Sequence, residues 1–146
     1  MTPSIQVTFD CADPDRLARF WADVLGYQVQ PPPPGFASWP EFLAARGIPE
    51  HEQPVASAIV DPVGAGPRLF FQKVPEGKRA KNRVHLDVNV GGGHAAPLAE
   101  RRVRVDTAVE RLVKAGAARL HAHEDPRLGE YWVVMQDPEG NEFCLQ

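Results

Sequence analysis

Asp13-Pro-Asp-Arg-Leu-Ala-Arg-Phe-Trp-Ala-Asp-Val-Leu-Gly26 is the stretch whose pattern decides the fold. Asp13 supplies an N-cap oxygen, and Pro14 stands at the first helical position, where its missing N–H costs nothing. Leu17, Phe20, Trp21, Val24 and Leu25 recur at i, i+3, i+4, i+7 and i+8, one apolar stripe of an amphipathic helix. Gly26 stops it. Upstream, Ile5-Gln-Val-Thr-Phe-Asp10 alternates with period two, Ile5, Val7 and Phe9 facing one way and Gln6, Thr8 and Asp10 the other. Downstream, Tyr27 to Gln30 opens another strand, and Val55 to Val60 pairs with Arg68 to Val74 about the turn Asp61-Pro-Val-Gly-Ala-Gly66. Between them, residues 31–54 read as an insertion. Pro31 to Pro34 form an extended connection, and a short helix is expected around Pro40 to Arg46, ending at Gly47. A cover over a cavity mouth and a plain surface loop are equally compatible with that segment.

The second half repeats the order. Val84-His-Leu-Asp-Val-Asn-Val90 alternates most cleanly of all, Val84, Leu86, Val88 and Val90 opposing His85, Asp87 and Asn89. A glycine loop, Gly91 to Gly93, leads to a helix capped near Asp106, with the stripe Val105, Ala108, Val109, Leu112 and Val113, ended by Gly116. Strands follow at Ala118 to His121, Tyr131 to Gln136 and Asn141 to Gln146, the last two joined by the tight turn Asp137-Pro-Glu-Gly140. The repeated order predicts an α+β fold of two tandem β-α-β-β-β modules, at about 4–75 and 83–146, within one domain spanning 1–146. The polar stretch from Pro75 to Asn82 connects them.

Composition excludes several classes. The 146 residues, 43% hydrophobic and 24% charged, can bury a core as one soluble domain. A formal net charge of −3 gives no general attraction to nucleic acid or anionic membrane. The basic run Lys78, Arg79, Lys81 and Arg83 lacks interleaved aromatics and reads as a solvated linker. No apolar run reaches membrane-spanning length, and nothing at the N-terminus resembles a signal peptide. Cys11 and Cys144 form neither a disulfide framework nor a paired ligand motif, so a cytoplasmic location is expected. Gly91 to Gly93 lacks the spacing and lysine of a phosphate loop.

Three motifs carry a resemblance. Cys11-Ala-Asp-Pro-Asp-Arg-Leu-Ala-Arg-Phe-Trp-Ala-Asp-Val-Leu-Gly-Tyr27 resembles the first helix of glyoxalase-like (vicinal oxygen chelate) proteins, a superfamily that includes bleomycin-resistance proteins and dioxygenases. His85-Leu-Asp-Val88 is similar to the opening strand of their second module, and Asp137-Pro-Glu-Gly-Asn-Glu-Phe-Cys-Leu145 to their last turn and strand. Together they span nearly the whole chain. The resemblance implies that each module curls an antiparallel sheet into half of a cup, with helices outside, and that Gln6, Thr8, His85, Asp87 and Asn89 face a small-molecule cavity.

It also implies a metal question. Metal-using members hold one divalent ion with four inward His, Glu or Gln ligands, one from the first and last strands of each module, and use it as a Lewis acid. Gln6 and His85 match two of these positions. The other two are Phe70, with Gln72 two residues on, and Cys144, with Glu142 two residues back. A two-residue shift moves a side chain about 6.6 Å along a strand, too far to reach the same ion without a bulge. The cofactor such a site would take is zinc, nickel, manganese or iron.

His85 and Glu142 are therefore the candidate catalytic groups, Gln6 and His85 the candidate metal ligands, and Thr8, Phe70, Gln72, Asp87, Asn89, Trp132 and Cys144 the candidate substrate contacts. Trp39, with Phe70 and Trp132, offers a flat ring for stacking. Set against these roles, His85 can be merely hydrogen-bonded to Glu142 or Gln6, and Cys144 a small buried residue. His121-x-His123, followed by Glu124 and Asp125, has metal-like spacing but equally suits a polar strand end. Three functions stay open: a lyase, isomerase or dioxygenase with a degenerate metal site, a metal-free protein that sequesters an antibiotic or metabolite, and a structural or regulatory partner domain with a vestigial cup. A small-molecule ligand and a homodimer are the expected partners, without nucleic acid or membrane.

Overall fold

Asp13 caps the first helix as its position requires. In the computed structural model, which describes residues 1–146, helix α1 spans Pro14–Leu25, and the Asp13 carboxylate accepts from the Arg16 backbone N–H at 3.1 Å. Gly26 ends it at φ 68, a left-handed turn that glycine makes without steric cost. Leu17, Ala18, Phe20, Trp21 and Val24 are buried against the sheet behind it.

The chain divides into two compact units, residues 1–77 and 78–146. Unit one contains β1 (Gln6–Cys11), α1, β2 (Gln28–Val29), helix α2 (Trp39–Ala45), a 3-10 turn (Glu50–Glu52), β3 (Ala56–Val60) and β4 (Arg68–Lys73), its sheet ordered β1-β4-β3-β2. Unit two contains β5 (Asp87–Val88), α3 (Leu98–Lys114), β6 (Ala118–Asp125), β7 (Glu130–Gln136) and β8 (Glu142–Leu145), ordered β5-β8-β7-β6. The same four-strand order thus occurs twice, with one long helix packed on each sheet. One amendment applies to the expected antiparallel sheet. β2, β3 and β4 run antiparallel, as do β6, β7 and β8, but β1 joins β4 in parallel and β5 joins β8 in parallel.

Alternation assigns each sheet two faces. In unit one, Leu69 and Phe71 are buried beneath α1, and Phe9 lies 5.1 Å from both Trp21 and Phe71, ring centre to ring centre. Gln6, Thr8, Arg68, Phe70 and Gln72 take the opposite, open face. In unit two, Val133, Met135, Phe143 and Leu145 are fully buried beneath α3. His85, Asp87, Cys144 and Trp132 then belong to the other side by parity.

Both units close their last hairpin with an aspartate that gathers backbone N–H groups. Asp61 accepts from Val63, Ala65 and Gly66 at 2.8–3.0 Å. Asp137 accepts from the Glu139 and Asn141 amides at 2.9 and 3.0 Å and from the Asn141 side chain at 2.8 Å.

Three elements differ from expectation. α3 begins at Leu98, and Asp106 lies inside it instead of capping it. The alternating segment 84–90 contributes only two ladder residues, and Val84 is exposed. β6 runs on to Asp125, four residues past the expected end at His121. In the insertion, α2 forms where expected, but Trp39 packs edge-on to Phe42 and donates its indole N–H to the Gln30 carbonyl at 3.1 Å. Its ring belongs to that local cluster.

Candidate functional site

The open face of unit two carries the densest chemistry. The register sets Asp87 beside Cys144, Val134 beyond Cys144, and Gln136 beyond Glu142. His85 lies two residues before Asp87 and therefore on the same side, where its Nδ1 stands 2.9 Å from Asp87 Oδ1. The Cys144 thiol lies close enough to Asp87 to feel its carboxylate. His85, Asp87 and Cys144 thus bring one donor atom each within 4.8 Å of one another, an arrangement in which a metal ion can be held.

Asp87 governs the state of both neighbours. Burial, then the charge of Asp87, push the Cys144 thiol up to about 11. At neutral pH it is a protonated donor and not a nucleophile. With its Nδ1 proton on Asp87, His85 would present Nε2 as a lone pair, oriented by the carboxylate.

Glu142 faces elsewhere. Its carboxylate meets the Lys78 ammonium at 3.2 Å and accepts from the Asn82 backbone N–H at 3.1 Å. Partial burial pushes its pKa up, but the Asn82 and Glu142 amides and Lys78 outweigh that and hold it below the usual glutamate range. Such a carboxylate is a weak base, and here it ties β8 to the segment before β5.

Farther along the face, Gln146 Nε2 donates to Asn89 Oδ1 at 2.9 Å. These two amides, with Trp132, Glu130, His94 and Arg101, line a recess of about 140 Å³. One face of Trp132 stacks on His123 at 4.0 Å. Arg101 is buried, and its guanidinium donates to the Ala96 carbonyl at 3.1 Å and to the Gly129 carbonyl at 2.5 Å. Arg101 is not visible as a site residue in the sequence, because it occupies the position of α3 one turn before Val105, where the apolar stripe would continue. His121 and His123 lie on β6 opposite Val134 and Trp132, both exposed.

In unit one the remaining candidates form a row across β1 and β4, with Gln6 paired to Arg68, Thr8 to Phe70 and Asp10 to Gln72. Gln6 Oε1 accepts from Arg68 Nη1 at 2.7 Å, and Gln6 Nε2 donates to Thr8 at 3.4 Å. Gln72 donates to Asp10 at 2.7 Å. Arg68 went unread in the sequence, since a single arginine at a strand start carries no motif.

The glyoxalase-like domain profile matches residues 6–146, nearly the whole chain. The chain belongs to the glyoxalase-like domain family. Solved structures agree at the level of fold. A glyoxalase/bleomycin resistance protein/dioxygenase family enzyme from Burkholderia phytofirmans PsJN is 18% identical, covers 96% of this chain and 94% of its own, and has a TM-score of 0.58. A mutant of the fosfomycin resistance protein FosX from Listeria monocytogenes, solved with Mn(II) and 1S,2S-dihydroxypropylphosphonic acid, is 12% identical, covers 100% and 90%, and has a TM-score of 0.62. A possible glyoxalase from Bacillus cereus is 13% identical, covers 100% and 99%, and has a TM-score of 0.60. No curated protein matches the chain in sequence. No helix is long and apolar enough to cross a membrane.

The four-ligand set of metal-using members of this glyoxalase-like family does not fit these residues. The only oxygen of the Gln6 side chain already accepts from a guanidinium, whose positive charge would repel a divalent ion placed there. Phe70 offers no donor atom. Cys144 stands where the resemblance expects a glutamate.

Proposed function

We propose that this glyoxalase-like protein binds a small organic molecule on the open face of unit two, without the family's four-ligand chelate. The observation that carries this is the recess at the sheet end, where Asn89, Trp132 and Gln146 share strand parity with Asp87 and Cys144 while Tyr131 and Arg101 close it from the α3 side. The recess supplies an aromatic edge and paired amides, and the imidazole held by Asp87 stands outside its lining, together the apolar wall and few polar groups that small-molecule sites use. His85 serves as the hydrogen-bonding group or proton acceptor toward the ligand, and Asp87 sets its tautomer. Thr8, Phe70 and Gln72 are candidate contacts on the open face of unit one. The biological outcome is sequestration of a metabolite or antibiotic, in a homodimer within the cytoplasm.

A second reading rests on the three-donor cluster. Imidazole, carboxylate and thiolate within 4.8 Å suit zinc, provided the metal displaces the thiol proton, and would support a lyase, isomerase or dioxygenase. One experiment separates the two. Protein purified without chelator is assayed for bound metal and then screened by thermal shift against a metabolite and antibiotic panel, with His85→Ala and Trp132→Ala alongside. The binding proposal predicts less than a tenth of an equivalent of metal (~0.1). It also predicts stabilising ligands whose effect is lost in Trp132→Ala. Stoichiometric zinc, absent from His85→Ala, would establish the second reading instead.

A further inference from the structure

Arg68 is a cation held in position by neutral groups alone. Its Nε donates to Gln30 Oε1 at 2.8 Å and its Nη1 to Gln6 Oε1 at 2.7 Å. The guanidinium carbon lies 5.1 Å from the centre of the Phe70 ring. No carboxylate pairs with it. The acidic group on the same strand pair, Asp10, accepts from Gln72. Two amide oxygens and an aromatic face therefore fix the plane of the guanidinium, and Nη2 makes no hydrogen bond.

A pinned, partly desolvated guanidinium loses little freedom when it binds, and its fork matches the oxygens of a carboxylate or phosphonate. Thr8, paired with Phe70 across the strands, accepts from Gln6 and so keeps its own O–H as a donor. We propose that Arg68 anchors an oxyanion-binding site on the open face of unit one, taking the carboxylate or phosphonate group of a small organic ligand, with Thr8 as a second donor. Gln6 and Gln30 are positioning residues that hold the fork. The site stands on unit one alone and does not depend on the role given to His85.

The test is calorimetric titration of the whole chain in low-chloride buffer with benzoate, phenylphosphonate and neutral benzamide. Wild type should bind at least one of the two anions saturably at one equivalent and leave benzamide unbound. Arg68→Gln should weaken anion binding at least about tenfold, and Lys73→Gln, which removes the same formal charge from an exposed position, should not. Arg68→Lys keeps the charge but loses the fork, and should bind more weakly than wild type. If Arg68→Gln fails to fold, the lysine variant carries the comparison. Absence of saturable anion binding by wild type, equal affinity in the folded Arg68 variants, or an equal loss in Lys73→Gln would overturn the proposal.

Discussion

Asp87 is the residue on which the chemistry of unit two turns. Its carboxylate contacts both the His85 imidazole and the Cys144 thiol, and that thiol is pushed up to about 11 by burial and by Asp87. At pH 8 about one Cys144 in a thousand is thiolate, so native protein should alkylate there very slowly with iodoacetamide. Asp87→Asn removes the negative charge and should bring the thiol down toward its ordinary range, raising the labelling rate at pH 8. Intact-mass labelling kinetics measure both; fast labelling of the native wild type at pH 8 would contradict the assignment. His85, Asp87 and Asn89 were legible as one face because alternation needs only residue order. That Asp87, rather than Glu142 or Gln6, partners His85 was not legible, because it depends on side-chain rotamers and on the parallel register of β5 with β8. Glu142 shares the parity of Cys144, yet Lys78 and Asn82 claim its carboxylate.

Among the elements, α1 was the easiest to read and α3 the hardest. α1 has a cap, a proline, a clean stripe and a glycine stop, each pointing to the same boundaries. Asp13→Ala should cost about 1 kcal/mol through loss of the cap, read as a lower denaturant midpoint with unchanged slope. α3 extends two turns further upstream than its apolar stripe suggests. Its first turns carry Glu100, Arg101, Arg102 and Arg104, whose polar character hides the periodicity while Arg104–Glu100 and Arg102–Asp106 pairs at 3.5 and 3.8 Å lie along the helix. Arg101 is buried there because two backbone carbonyls receive its guanidinium. Leu112, fully buried on the inner face of the same helix, should cost about 2–5 kcal/mol when replaced by alanine. A loss below 1 kcal/mol (~1) in denaturant unfolding would contradict its place in the core. β5 failed in the opposite sense. Its alternation was clear, but as the edge of its sheet it has β8 on one side only, and the Leu86 and Val88 carbonyls accept from the Cys144 and Gln146 amides with little burial of Val84.

For the molecule as a whole, ionisable groups set the pH range of stability. Glu142 titrates lower in the folded chain than its ordinary 4.5, so its contribution is present above that value and is lost as pH falls through the folded pKa. Cys144 lies above its ordinary 9.0, at about 11, so its contribution is complete below 9 and is lost as pH rises from 9 to 11. Tyr131, raised to about 12 by burial and by its hydrogen bond to Asp106, adds a further loss above 10. Melting temperature should therefore fall on both sides of neutrality, and Cys144→Ala should flatten the curve between pH 9 and 11. An unchanged alkaline slope in that variant would count against the buried thiol as its source.

The repeated order of elements along the chain was readable from the alternation of strands and helices, whereas the strand order within each sheet was not, and the family match over residues 6–146 fixes no ligand. The most direct test of the account is a ¹H–¹⁵N spectrum of the full chain, titrated with the ligand that stabilises it most in thermal shift. The largest shifts should fall on Asn89, the Trp132 indole, Cys144 and Gln146. Shifts confined to the Trp39 and Phe42 cluster, with the unit-two face unmoved, would contradict it.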